Sequence, residues 1–508
     1  MASLTVTDIR RLRLDSTPIS KTVAPSVSAD DFKSINSRRK PRSKKFDHHF
    51  SFECRAFNGS ALKKSASVAS SKKIISLGTG RPTADYYPWK MLAFESLTPA
   101  LKESADQVST DSPELQTVTK QDCDYNLALA LNYGGAMGSP HLLRFFSEHT
   151  EMVHNPPYQD WDICLTAGAT SAMEIAYRIF CNRGDNILME DYTYPGTIEG
   201  ASQLDLHICG VPIDAEGASA DFLRKVLETW HLSRGAKPTI FYTIPYGHNP
   251  TGVTQSVTRR REIYQIAEEH DLIIIEDDPY YFLNMGSRAA DISSNDTRIP
   301  TYLSIDTSGR VVRLDSTSKI LAPGLRAGWV TASAQVIQKF IAYQEVSTVA
   351  VSGPSQLMLW KLLDETWGHE GFFTWLNNLS LEYRVRRDIM VGACELYLPK
   401  DICSWVDPVC GMFLWIELDW EKHPRFKHKD QLAQRASPAE LVDIEQNILS
   451  ASLANGVQVT KGSLFKCDKN ALSKMHFRMT FAAAAKGDLE EGVKLFADAV
   501  KKEFALNL

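Results

Sequence analysis

From residue 74 onward the chain moves between two hydrophobic rhythms. Short runs that are apolar throughout and rich in β-branched residues predict buried strands at 186–190 (NILME), 239–245 (TIFYTIP), 272–277 (LIIIED), 311–315 and 327–332. Between them, apolar residues recur three and four apart. Residues 169–181 (ATSAMEIAYRIFC), with Gly184 just beyond, predict a helix, as do residues 257–270. Strands with no polar face need cover on both sides. The pattern therefore predicts an α/β fold, with a mostly parallel sheet between helices and right-handed crossovers. After about 335 the chain reads as helical through about 395. Strand-like runs at 412–418 and 475–482 and a closing helix at 486–504 then predict a smaller α+β domain. No internal repeat is visible.

The first 72 residues break this rhythm. Eleven Lys/Arg against five Asp/Glu over residues 1–50 give +6, which leaves −11 for the rest of a chain whose net charge is −5. We expect a disordered, basic arm there. The whole chain, 508 residues at 44% apolar and 23% charged, has an ordinary soluble composition. Its net charge gives no general case for nucleic acid or membrane binding. No window approaches the roughly 18–20 apolar residues of a membrane span. The N-terminus lacks the apolar core of a secretory signal. It is rich in Arg and Ser, but Asp8 and Asp15 argue against a mitochondrial presequence. The expected compartment is the cytoplasm, with the mitochondrion as the alternative. Nine scattered cysteines without a Cys-x-x-Cys pair read as thiols in a reducing compartment, and no metal set is expected.

Candidate chemistry sits where predicted strands end, which is where ligands bind in doubly wound sheets. In DSTSKILAPGLRAGW, Lys319 stands beside Ser316 and Ser318, with Arg326 shortly after. An amine that can form a Schiff base, next to hydroxyls and a guanidinium that can hold a phosphate, suits pyridoxal phosphate. Asp277 closes LIIIED and could pair with a pyridine nitrogen; Tyr280 follows it. Asn249, in HNPTG, could donate to a ring oxygen, although Asn-Pro and Thr-Gly are also ordinary turn dipeptides. Gly168 precedes a predicted helix, so the amides of Ala169 and Thr170 form a phosphate seat. Tyr194, in EDYTYPGT, could stack on an aromatic ring. Arg478 lies in the otherwise apolar HFRMTFA, where a guanidinium needs a partner, either structural or a substrate carboxylate.

Together these segments resemble the fold-type I pyridoxal phosphate-dependent aminotransferases, most closely the aromatic amino acid, 2-aminoadipate and kynurenine aminotransferase subgroup. IISLGTGRP, LNYGGAMGSPHLLRF and CNRGDNILMEDYTYPGT add to the likeness, which runs over roughly residues 74–505. The resemblance implies that Lys319 carries the cofactor, Asp277 meets the ring nitrogen, and Asn249 and Tyr280 meet the ring oxygen. Ser316, Ser318, Arg326, Ala169 and Thr170 hold the phosphate, Tyr194 stacks, and Arg478 takes the substrate carboxylate. It further implies a homodimer with shared sites, in which Tyr133 reaches the other subunit's phosphate and Gly80 lies at the entrance. Arg81 departs from the apolar residue common in the subgroup and could pair with the distal carboxylate of 2-oxoglutarate. The implied layout is an arm over 1–72, a first part of the small domain and dimer arm over 73–130, a cofactor-binding large domain over 131–375, and the rest of the small domain over 376–508. The implied reaction is ping-pong transamination from an aromatic amino acid to 2-oxoglutarate, with small-molecule substrates and no nucleic acid or membrane partner. A lyase or decarboxylase on the same fold is the second reading, and an aminotransferase-like transcription regulator is a remote third.

Overall fold

The computed structural model describes residues 4–61, 77–78, 80–97, 99, 114–121, 124–288, 299–426 and 436–506. Its first finding corrects the expected disordered arm, because residues 4–61 are folded onto the body. Helix α1 (Val6–Leu14) starts with a capping box between Thr5 and Asp8 and buries Ile9. Further on, Lys33 Nζ donates to the Gln159 carbonyl at 2.8 Å and lies 4.3 Å from the Trp161 ring centre. Ser43 bonds Asp160 through its amide and hydroxyl at 2.7 and 2.8 Å, and Lys44 pairs with Glu268 at 2.7 Å. The physical reason is complementarity. Several cations and amides of the arm find acidic partners on the negative body, and Phe46, Phe50 and Cys54 are buried with them. Residues 62–72, the rest of the expected arm, lie outside the described residues.

Strands β1 (Met91–Ser96) and β2 (Glu114–Thr119) form an antiparallel pair. Helix α2 (Pro140–Val153) follows, with Ser139 as its cap. The main sheet contains β3 (Trp161–Thr166), β4 (Asn186–Glu190), β5 (His207–Val211), β6 (Ile240–Thr243), β7 (Ile273–Asp277), β8 (Val311–Ser316) and β9 (Gly328–Ser333). Its seven strands run in the order β3-β9-β8-β7-β6-β4-β5. The five from β8 to β5 pair in parallel, while β9 is antiparallel to both neighbours. β3, β4 and β6 to β9 are buried at every position, as strands covered on both faces must be. Among the covering helices are α3 (Ala169–Phe180), α4 (Pro195–Gln203) and α5 (Val257–Glu269).

Helix α6 (Gly353–Trp360) runs into a π-helical turn, Lys361–Thr366, and then into the 30-residue α7 (Gly368–Tyr397). The expected boundary at 375/376 falls inside this continuous helix. A second, antiparallel sheet follows, with β10 (Cys403–Trp405), β11 (Phe413–Leu418), β12 (Thr460–Lys461) and β13 (Met475–Thr480) in the order β10-β11-β13-β12. The β1/β2 pair reaches the α6–α7 junction, where Trp367 Nε1 donates to the Leu97 carbonyl at 2.7 Å.

Candidate active site

The parallel strands deliver their C-terminal ends to one edge of the sheet. β7 ends at Asp277, β8 ends at Ser316 just before the turn that holds Lys319, and β4 leads to Tyr194. β6 leads to Asn249, whose bond to Pro250 is cis, and β3 leads through Gly168 into α3. The lysine turn is anchored from three sides. Thr317 Oγ1 donates to the Ala327 carbonyl at 2.8 Å, Trp375 Nε1 donates to the Ile320 carbonyl at 2.7 Å, and Ser316 Oγ donates to Ser318 Oγ at 2.9 Å.

Lys319 Nζ has no hydrogen-bond partner among the described residues. Burial lowers its pKa, Arg478 and Arg326 add to the lowering, and Asp277 opposes it. Asp277 is buried. Tyr242 donates its hydroxyl to Oδ2 at 2.5 Å, while Oδ1 has no partner. Burial pushes this carboxyl up to about 6, against the Tyr242 bond and the cations Arg313 and Lys319, with Asp278 adding to the rise. A buried oxygen held open in this way is an acceptor waiting for a donor.

Across the cleft, β13 supplies Arg478. Its Nη1 donates to Asn249 Oδ1 at 2.8 Å, and its guanidinium lies 4.4 and 4.7 Å from the ring centres of Phe413 and Phe465. No carboxylate pairs with it among the described residues, and burial lowers its pKa. The arginine therefore keeps donors for a carboxylate that the chain itself does not provide. Because Asn249 Oδ1 is taken by Arg478, its NH₂ remains to donate elsewhere. Tyr280 hydrogen-bonds Asn249; burial raises its phenol pKa, with Asp277 adding to the rise and the Asn249 bond opposing it.

The candidate phosphate seat has two walls. Gly168, at φ +95°, caps α3, so the amides of Ala169 and Thr170 open the helix. A Cβ at Gly168 would lie 3.0 Å from Arg326 Nη2, so glycine gives the guanidinium room and suits the positive φ. Arg326, itself left-handed at φ +46°, is held by the carbonyls of Pro323 and Ala167, both at 3.0 Å. Gly196 does for Tyr194 what Gly168 does for Arg326. A Cβ there would meet the Tyr194 ring at 2.5 Å.

Three candidates stand apart from this cluster. Gly80 and Arg81 are exposed and make no hydrogen bond or ion pair among the described residues. Tyr133 is 60% exposed, its amide bonded to Asn132 Oδ1 at 2.8 Å. The structure also shows residues that sequence reasoning missed. Tyr242, inside an apolar strand, fixes Asp277. Arg313 sits behind Asp277 among three carboxylates, Glu276, Asp278 and Asp315. An arginine in the middle of the run VVRLDS, beside the acidic EDD at 276–278, was the available signal.

A half-buried lysine at a strand end, an open aspartate oxygen, a helix N-terminus with an arginine and serines, and an unpaired arginine opposite define a pyridoxal phosphate enzyme of fold type I. The chain belongs to the aminotransferase class I and II family, whose model matches residues 132–496. It is 47% identical over 472 residues to "aminotransferase swnA" of Metarhizium robertsii, covering 91% of this chain and 93% of that one. An aromatic amino acid aminotransferase of Schizosaccharomyces pombe is 37% identical over 480 residues, covering 91% and 98%. The crystal structure of aminotransferase Aro8 from Candida albicans superposes with a TM-score of 0.82 at 34% identity, covering 92% of this chain and all of that one. The protein is a pyridoxal phosphate-dependent aminotransferase acting on amino acids and oxo acids. Among the described residues no helix is long and apolar enough to cross a membrane.

Proposed function

We propose that this aminotransferase takes the amino group of an aromatic amino acid and passes it to 2-oxoglutarate, in two half-reactions at one site. The observation that carries the reading is Arg478, which is partly buried, flanked by Phe413 and Phe465, and without a carboxylate partner among the described residues. Its guanidinium would bind the α-carboxylate of either substrate, and the two rings offer apolar surface for an aromatic side chain.

The other residues take roles their surroundings support. Lys319 holds the cofactor and, once displaced, moves a proton at the substrate α-carbon; its lowered pKa favours the neutral amine that a base requires. Asp277 Oδ1 accepts from the ring nitrogen and keeps it protonated. Bound pyridoxal phosphate supplies the electron sink for the α-carbon's charge. Asn249 and Tyr280 donate to the ring oxygen, and Tyr194 covers the ring. Ser316, Ser318, Arg326 and the amides of Ala169 and Thr170 hold the phosphate. In a homodimer the exposed Tyr133 serves the other subunit's phosphate seat, while Gly80 and Arg81 border the entrance, with Arg81 toward the distal carboxylate of 2-oxoglutarate. The compartment we propose is the cytoplasm.

A panel of amino donors with 2-oxoglutarate, following oxo acid formation, tests this. Phenylalanine, tyrosine or tryptophan should lead. A lead by 2-aminoadipate or kynurenine would replace the aromatic assignment, and release of an amine instead of an oxo acid would replace transamination. Lys319→Ala should abolish both turnover and the absorbance band of the bound cofactor; a variant that kept turnover would remove Lys319 from its role.

A further inference from the structure

Arg313 lies on β8 with its side chain fully buried, and its ion-pair and ring partners among the described residues are acidic or aromatic. Nε and Nη2 grip both oxygens of Asp315 at 3.0 and 2.9 Å. Nη1 donates to Asp278 Oδ2 at 3.0 Å and lies 3.3 Å from Glu276 Oε1. The Tyr281 ring centre is 5.1 Å from the guanidinium. Glu276 is held further by the amides of Tyr302 and Leu303, at 2.8 and 3.2 Å. Strand alternation fixes where this cluster stands. β7 and β8 are parallel, with Arg313 opposite Glu276 and Leu314 opposite Asp277. Side chains alternate across a sheet, so Glu276, Arg313 and Asp315 share one face while Asp277 and Ser316 share the other. Asp278, which continues from Asp277, turns back to Arg313. One guanidinium therefore ties the ends of the two strands that present Asp277 and the lysine turn. It does so from behind, touching none of the groups that would meet cofactor or substrate.

Arg313 is the cation bonded to three buried carboxylates, with the buried Arg260 acting on Asp278 from farther off, and the set stays unbalanced. Burial holds Asp278 above the ordinary carboxylate range, with Glu276 adding to the rise and Arg313 opposing it. Asp315 is likewise pushed up to about 6 by burial, against Arg313. The charge at this point acts through the sheet, where water does not screen it. We infer that Arg313 is a positioning residue for the reaction. With Glu276, Asp278 and Asp315 it fixes the Asp277 carboxylate against the cofactor's ring nitrogen and sets how negative the site is. This rests on Asp277 being the partner of that nitrogen.

The sign of the effect separates charge from mere support. The groups that face Lys319 are Arg478, Arg326 and Asp277. Those that face Asp277 are Tyr242, Asp278, Arg313 and Lys319, with Tyr177, Tyr280, Glu190 and Asp315 also coupled to it. Removing a cation from this set makes the site more negative and favours protonated, positive forms at the cofactor. Removing an anion does the reverse.

The experiment is a pH titration of the visible absorbance of the holoenzyme, together with the Kd for pyridoxal phosphate. Arg313→Gln should move the pH at which the band fades upward by about half a unit or more, and Asp315→Asn should move it downward by a similar amount. Arg313→Lys should keep the wild-type midpoint more closely than Arg313→Gln, with weaker cofactor binding from the lost fork. Arg313→Gln leaves three buried carboxylates without the cation bonded to them. If it does not fold, Asp315→Asn against Arg313→Lys carries the test. An Asp315→Asn midpoint that stays put or rises overturns the inference while leaving the aminotransferase assignment intact. Wild-type protein that fails to take up pyridoxal phosphate overturns the reading of the site, and this inference with it.

Discussion

Asp277 is a residue kept at a cost. Its native carboxyl binds a proton more tightly, with a pKa of about 6, than the ordinary value of 3.8. Between those values the native state holds more protons than the unfolded chain, so this group's contribution to stability falls as pH rises. Above about 6 the ionised side chain opposes folding of the cofactor-free protein, on the order of 1–3 kcal/mol, and below about 4 it does not. Asp277→Asn, which keeps an acceptor for Tyr242, should therefore raise the unfolding temperature of cofactor-free protein at pH 7.5. The gain should vanish by pH 4, and the variant should hold pyridoxal phosphate less well. Thermal melts at the two pH values check this, and a variant less stable than wild type at pH 7.5 would contradict it. The candidate residues were legible in the sequence, because Lys319, Asp277 and Asn249 bring chemistry to the ends of apolar runs and Arg478 is a lone charge inside one. Arg313 left only the signal of a charge inside VVRLDS, because its worth lies in cross-strand neighbours that the register reveals.

At the scale of elements, strands buried on both faces announced themselves as apolar runs, and β4, β6, β7, β8 and β9 lie within a residue or two of their expected places. β3 and β5 did not show in the pattern. β3 carries Asp162, whose carboxylate accepts the amides of Ala29 and Ile163 at 2.8 Å each, and β5 begins with the exposed His207. The arm was misread because its charges look solvated until their partners are known. Arg13 makes the point. Its guanidinium meets Glu148 at 2.8 and 2.5 Å and Asp364 at 2.6 Å, and both carboxylates are buried. Asp364 belongs to the π-helical turn before α7, so α1 straps that turn to α2. Arg13→Ala should cost about 1–3 kcal/mol, softened because His369 and Arg144 still reach Glu148 and Asp364. Urea unfolding measures the loss. Limited proteolysis should cut the variant within the arm sooner than the wild type, and equal resistance would show that α1 is held by other contacts.

The proposed dimer is testable at the scale of the whole molecule. If each phosphate seat needs Tyr133 from the other subunit, Tyr133→Ala and Lys319→Ala fail in different halves of a shared site. Refolding the two inactive variants together should restore activity toward about a quarter of wild type, the share that random pairing yields. A mixture no better than its parts would make the sites independent. The strapped arm carries a consequence for biosynthesis. Arg10 and Arg13 leave the ribosome about 350 residues before Glu370 and Asp364. Arg13 can meet Glu148 earlier, but these two pairs must wait until residues 364 and 370 have been made. Contacts of such sequence separation form late and slowly. This aminotransferase therefore fastens α1 late, and a ribosome stalled before residue 364 would hold a nascent chain whose α1 lacks its tie to the π-helical turn.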